Sequence, residues 1–176
     1  MKKKGIVFWI TGLSGSGKST IAKYIKKKVE KKYGNTIIIN GDDIRKIFNF
    51  KNYELKERKK LSMQYSKLAI FLSNQGLNII MPVVAMFEQV RKFNKKNIKH
   101  YVEVYIETNI KQLINRKDKN FYKKKSKNII GIDLKYEKPR KPDILIKNDF
   151  SSTPKKLGKE LIDKIYNLKK LNAIFK

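Results

Sequence analysis

No cysteine occurs in the chain, so a disulfide framework, a thiolate zinc site and a cysteine nucleophile are all excluded. Histidine is almost as scarce: His100 is the single one, it precedes an apolar run, and no role attaches to it. No apolar run approaches the length of a membrane span. The start, Met1-Lys2-Lys3-Lys4-Gly5 followed by apolar Ile6 to Ile10, imitates a signal peptide. Its apolar run is too short and no small-residue cleavage position follows. The expectation is a cytoplasmic protein without a membrane partner. No long stretch rich in Pro, Gly and Ser interrupts the chain, and 176 residues suit one compact domain, so a single unit over 1–176 is expected.

Acidic residues are also few. Fifteen Asp and Glu face 43 Lys and Arg, a formal net charge of +28. Such an excess favours polyanions. Yet only five of the basic residues are arginine, namely Arg45, Arg58, Arg91, Arg116 and Arg140, and the lysines are scattered over nearly every segment. Abundant Lys, Asn and Ile fit an AT-rich genome better than a selected basic face. Specific nucleic-acid readout relies on Arg and a recognisable module, so no specific nucleic-acid partner is expected.

What is present alternates. Apolar runs at Gly5 to Thr11, Thr36 to Asn40, Leu77 to Met81, Tyr101 to Glu107 and Asp143 to Ile146 read as strands. Helical spacing marks Ser19 to Tyr33, Leu55 to Gln75 (with Leu61, Tyr65, Leu68 and Leu72 as one stripe), Ala85 to Lys95, Ile110 to Arg116 and Pro154 to Leu171. Asp42 reads as the cap of a short helix reaching about Phe48. Strand and helix in alternation predict an α/β fold, a five-stranded parallel sheet with helices on both faces. The basic, aperiodic stretch at about 117–141 reads as a lid.

Gly12-Leu13-Ser14-Gly15-Ser16-Gly17-Lys18-Ser19 satisfies G-x-x-x-x-G-K-[ST], between a strand and a helix. Glycines let backbone N–H groups converge on phosphate oxygens. Lys18 reaches the outer phosphates, Ser19 offers a hydroxyl to Mg²⁺, and the helix turns its positive end toward the anion. Gly12, Leu13, Ser14, Gly15, Ser16, Gly17, Lys18, Ser19 and Thr20 are therefore the expected ATP-phosphate site. A GTPase is disfavoured, because no Asp has Gly three positions later. Asn115-Arg116-Lys117-Asp118 only imitates a guanine-reading N-K-x-D. A small P-loop kinase with a basic lid fits the length.

Further segments add a resemblance. Asn40-Gly41-Asp42-Asp43-Ile44-Arg45, Lys119-Asn120-Phe121-Tyr122, and Gly131-Ile132-Asp133-Leu134-Lys135-Tyr136-Glu137-Lys138-Pro139, together with the phosphate loop, resemble adenylylsulfate (APS) kinases from about Gly5 to Leu171. The resemblance implies transfer of the ATP γ-phosphoryl group to a ribose 3′-hydroxyl of a small nucleotide, with ATP and Mg²⁺ as cofactors. It implies Asp42 as base and magnesium neighbour, alongside catalytic Lys18. Arg45 and Arg58 match arginines that hold the acceptor's anionic part, and Arg116 matches one beside the ATP base. Phe50, Leu61, Ile80, Met81, Lys119, Ile129 and Gly131 fall on the acceptor side. Family members are often dimers, so a homodimer is compatible with it.

The departures cluster on that acceptor side. Asn40 stands where the family has Asp, Leu61 where it has Asn, Met81 where it has Ser, and Ile129 where it has an aromatic. The lid is shorter. The acceptor leans toward cytidine diphosphoramidate, as in capsule polysaccharide modification, with APS itself as the alternative. A protein that binds nucleotide or nucleic acid without catalysis is the alternative of another class. The kinase reading predicts that Lys18→Ala and Asp42→Ala each abolish ADP release in a coupled assay. The non-catalytic reading predicts no effect of Asp42→Ala, and DNA binding that falls steeply with salt.

Overall fold

The computed structural model describes residues 4–115 and 128–173. Five strands, β1 (Ile6–Thr11), β2 (Thr36–Ile38), β3 (Asn78–Val83), β4 (His100–Glu107) and β5 (Ile144–Lys147), form one sheet in the order β2-β3-β1-β4-β5. Every pairing is parallel. A parallel sheet buries both faces, which explains why β1 and β3 are buried at every position.

The residues of β1 divide by the two-residue period of a strand. Ile6, Phe8 and Ile10 enter one apolar layer beneath α1 (Lys18–Tyr33) and α6 (Pro154–Tyr166). Val7 and Trp9 enter the other, beneath α3 (Leu55–Asn74) and α4 (Glu88–Asn97), with Leu113 of α5 (Ile110–Asn115). A short α2 (Gly41–Ile47) follows β2, and α7 (Lys169–Asn172) closes the described chain.

Several boundaries differ from the sequence expectation, for physical reasons. The closing helix breaks between Tyr166 and Lys169, where Leu168 is extended and starts a new turn. Strand β3 runs on through Pro82 to Val83. It tolerates the proline because β2 has already ended, with Ile38 opposite Ile80. Helix α4 starts at Glu88 rather than Ala85, because Ala85, Met86 and Phe87 are spent on the core. Along α3 the buried face runs through Arg58, Leu61, Ser62, Tyr65, Ser66, Ala69 and Ser73, with Leu68 only half-buried. Asp42 does not cap α2. Asn40 takes the N-cap position without a side-chain cap bond, and Asp42 sits in the first turn.

Of the stretch expected to be a lid, 128–141 lies among the described residues and is held firmly. Ile129 N–H donates to Asp133 Oδ2 (2.8 Å), and Gly131 N–H donates to the Leu134 carbonyl (2.9 Å). Glu137 N–H donates to the Met86 carbonyl (3.0 Å), its own carbonyl accepts from Arg91 Nη1 (2.8 Å), and its carboxylate accepts from Glu88 N–H. Arg91 also lies 3.3 Å from the buried Glu103 carboxylate, without hydrogen-bond alignment. Lys95 Nζ approaches the same carboxylate to 3.0 Å. An uncompensated carboxylate there would be costly, so the two cations are needed for burial.

Gly158 marks the contact of α6 with α1: a Cβ at this position would come within 2.2 Å of Tyr24 Cδ1. Glycine to alanine in a helix ordinarily gains about 1 kcal/mol, whereas forcing extra volume into a packed contact costs about 1–3 kcal/mol. The clash lies near the root of the ring, so rotation relieves little. Gly158→Ala is expected to lower Tm by about 2–4 °C in a thermal melt; a higher Tm would show that the ring moves aside.

Candidate active site

The carboxyl ends of the strands open into one cavity of about 870 Å³. Ligands in open α/β sheets bind at this edge, where loops are free to vary above a fixed framework. The phosphate loop forms its floor. Gly12, Gly15 and Gly17 hold φ of +154°, +77° and +90°, and a Cβ on Gly12 would lie 2.5 Å from the Ile106 carbonyl oxygen. Only glycine fits that combination. Lys18 is buried and its Nζ donates to the Leu13 carbonyl at 2.7 Å, which curls the side chain over the loop. Ser19 and Thr20 are exposed and line the cavity. Ser14, Gly15 and Gly17 line it too, while Gly12, Leu13 and Ser16 lie on the inner side of the loop.

Asn148, just past β5, braces the loop from below. Its Nδ2 donates to the Ser16 carbonyl (3.0 Å) and its Oδ1 accepts from Phe150 N–H (3.0 Å). Sequence reasoning passed over it, although its place at the carboxyl end of a strand was a usable signal.

Helix α2 contributes the opposite wall. Asp42 is exposed and lines the cavity, one turn before Arg45 on the same helix. Asp43 is engaged elsewhere: it accepts from Asn40 Nδ2 at 2.8 Å. Tyr65 donates its hydroxyl to the Gly41 carbonyl (2.9 Å), fixing the start of α2. Burial raises the pKa of that phenol above its ordinary value, against the opposing pull of Arg45.

Arg45 and Arg58 stand over the Tyr53 ring, each guanidinium carbon 5.0 Å from the centroid. Arg58 is buried; Nε donates to the Tyr53 carbonyl (2.8 Å) and Nη2 to the Asn128 carbonyl (2.9 Å). Arg45 Nη1 is buried without a hydrogen-bond partner among the described residues. Burial, and then the charge of Arg45, push the pKa of Arg58 below its ordinary value, though a guanidinium remains charged. Among the described residues neither arginine has a carboxylate within ion-pair distance. A buried cation, Arg58, and a half-buried one, Arg45, thus face a cavity with a net demand for an anion.

The other expected acceptor residues are placed differently. Ile129 lines the cavity. Leu61 and Met81 are buried in the apolar layer under α3, whereas Ile80 lies in the layer under α1, on the far side of the sheet. Phe50 packs against Phe48 and the core, with a ring separation of 6.2 Å, and Tyr53 occupies the cavity wall instead. The two aromatics are three residues apart in a loop, a placement that periodicity does not resolve. Gly131, at φ +95°, packs on Leu13 and Ile110 rather than lining the cavity. Arg116 and Lys119 lie outside the described residues.

A magnesium ion takes hard oxygen ligands and is often held by one or two carboxylates plus substrate phosphates. The Ser19 hydroxyl and the Asp42 carboxylate, both exposed in the cavity, suit that demand. No cluster of three or more His, Cys, Asp or Glu exists among the described residues, which fits an ion brought in with a nucleotide rather than a dedicated metal cage.

Comparison with known proteins places this geometry. A family model described as adenylylsulphate kinase matches residues 4–147. A cytidine diphosphoramidate kinase of Campylobacter jejuni is 36% identical over 152 residues, covering 84% of this chain and 89% of the relative. An adenylyl-sulfate kinase of Clostridium acetobutylicum is 34% identical, covering 93% of this chain and 84% of the relative. Among solved structures, the Mycobacterium tuberculosis APS kinase CysC in complex with AMPPNP and APS superposes with a TM-score of 0.83 at 25% identity, covering 93% of this chain and 99% of that one. Shikimate kinase from Aquifex aeolicus shares the fold, with a TM-score of 0.60 at 17% identity over 97% of this chain and 100% of that one. A P-loop under Lys18, a parallel five-stranded sheet and a match over most of the chain lead to one assignment: the chain belongs to the adenylylsulphate kinase family.

Proposed function

We propose that this kinase transfers the γ-phosphoryl group of ATP to the ribose 3′-hydroxyl of a nucleotide carrying an anionic tail. The observation that carries the reading is one cavity shared by the phosphate loop, Asp42, and the pair Arg45 and Arg58, which among the described residues have no carboxylate within ion-pair distance. The acceptor hydroxyl forms the new O–P bond, the bond from Pγ to the β-γ bridging oxygen breaks, and the hydroxyl proton passes to the Asp42 carboxylate. Lys18 and the N–H groups at the start of α1 hold the donor phosphates. Ser19 and Asp42 would hold Mg²⁺, which supplies charge neutralisation on the phosphates.

The favoured acceptor is cytidine diphosphoramidate, in the modification of capsule polysaccharide. The Campylobacter relative's activity supports it. So does Ile129, a cavity-lining residue where the resemblance has an aromatic: a pyrimidine needs less stacking surface than adenine. Adenylyl sulfate is the second reading, favoured by the Clostridium relative and by the matching family model.

Steady-state comparison of cytidine diphosphoramidate, adenylyl sulfate and plain nucleoside mono- and diphosphates decides between them. The favoured reading expects kcat/KM for cytidine diphosphoramidate to exceed that for adenylyl sulfate by at least about tenfold, about 1.4 kcal/mol of differential transition-state binding. Equal, very low values for all would remove both readings. Arg45→Ala is expected to raise the acceptor KM by roughly 10–100-fold, the scale of losing hydrogen bonds to a charged group, while the ATP KM stays within about twofold. A parallel rise in the ATP KM would place Arg45 on the donor side instead.

A further inference from the structure

The donor half of the cavity is bounded by two loops far apart in sequence, the phosphate loop and the β5–α6 connection that runs from Asn148 to Thr153. One side chain joins them. Asn148 is 6% exposed, and both ends of its amide are used. Nδ2 donates to the Ser16 carbonyl at 3.0 Å across 132 residues of sequence, and Oδ1 accepts from Phe150 N–H at 3.0 Å. Its backbone N–H donates to the Glu107 carbonyl at 2.8 Å, tying it to the end of β4. The amide therefore has no freedom to turn over without breaking two bonds.

The placement matters because of what the phosphate loop has to do. Its N–H groups must point inward at an anion, so its carbonyls must point outward, and each buried outward carbonyl needs a donor. Ser16, fully buried at the tip of the turn, has its carbonyl satisfied by the Asn148 amide. A Cβ on neighbouring Gly17 would sit 3.3 Å from the same Nδ2, so the amide also packs against the peptide that opens α1. On the other side, Phe150 has a left-handed φ of +68°, uncommon for a bulky residue, and the bond from its N–H to Asn148 holds that turn in place. Phe150 and Ser151 to Pro154 then line the cavity.

We infer that Asn148 is a positioning residue for the triphosphate: it sets the curvature of the phosphate loop from behind and couples it to the β5–α6 loop, without touching the acceptor. The inference rests on the reading of the loop as an ATP site, and binding of Mg²⁺·AMPPNP to the unaltered protein checks that reading separately. Two variants isolate the amide donor. Asn148→Asp keeps the shape and the oxygen facing Phe150 N–H but places a carboxylate against the Ser16 carbonyl. Asn148→Ala removes the donor without adding charge. Both are expected to weaken Mg²⁺·AMPPNP binding in calorimetry by roughly tenfold, the scale of a buried carbonyl left unpaired. The KM for ATP should rise in step while the acceptor KM stays within about twofold, a split that general loosening of the fold would not produce. If the unaltered protein binds AMPPNP but Asn148→Ala, still melting cooperatively, binds it equally well, the inference is overturned, and any loss in Asn148→Asp is then charge repulsion only. A matching rise in both KM values likewise overturns it.

Discussion

Everything in this molecule depends on a turn of six residues whose backbone faces the wrong way. Ordinary turns direct carbonyls and N–H groups outward by turns. A phosphate loop has to collect its donors on the inside, and segment 12–17 has what that needs: positive φ at Gly12, Gly15 and Gly17, with no room for a side chain against the Ile106 carbonyl. Such a turn has little stability of its own. It persists because β1, the central strand, delivers it from below, α1 continues it above, and Asn148 bonds its outer carbonyl from the flank.

The order of the strands follows from the same need. With β1 in the middle, β3 and β4 bring their carboxyl ends to either side of the loop. The acceptor wall grows from the β2 and β3 side and the donor wall from the β4 and β5 side. In the proposed reading the two substrates meet from opposite flanks of one glycine turn, and the catalytic carboxylate candidate, Asp42, stands on the helix that follows β2.

How much of this was legible in the sequence depended on whether the signal was local. The loop and the strand alternation are short-range patterns, and they read correctly as structure. The residues misplaced or missed all depend on distant contacts. Ile80 and Met81 are adjacent and both apolar, and only the sheet's two-layer packing sends one under α1 and the other under α3. Tyr53 and Phe50 compete for one wall, and the choice is made by Arg45 and Arg58 packing on Tyr53. Asn148 is an unremarkable polar residue until its partner, 132 positions earlier, is known. Asp42 looked like a cap because Asp often is one, yet the N-cap of α2 lies two residues earlier, at Asn40.

The buried arginine of α3 carries a last consequence. Of Arg58's two hydrogen-bonding edges, the side-on one, formed by Nε and Nη2, is already committed to the carbonyls of Tyr53 and Asn128. An arriving anion cannot grip that edge in the two-pronged manner that makes arginine selective for planar or tetrahedral oxygens. In the proposed reading, what Arg58 offers an acceptor is its charge and its remaining end-on edge. Arg45 keeps a buried nitrogen without a hydrogen-bond partner among the described residues, and in the proposed reading it is the arginine able to read the shape of the tail. In the proposed reading the pair is therefore an unequal one: Arg58 is tied into the backbone of two loops, and Arg45 is the member freer to change with the acceptor.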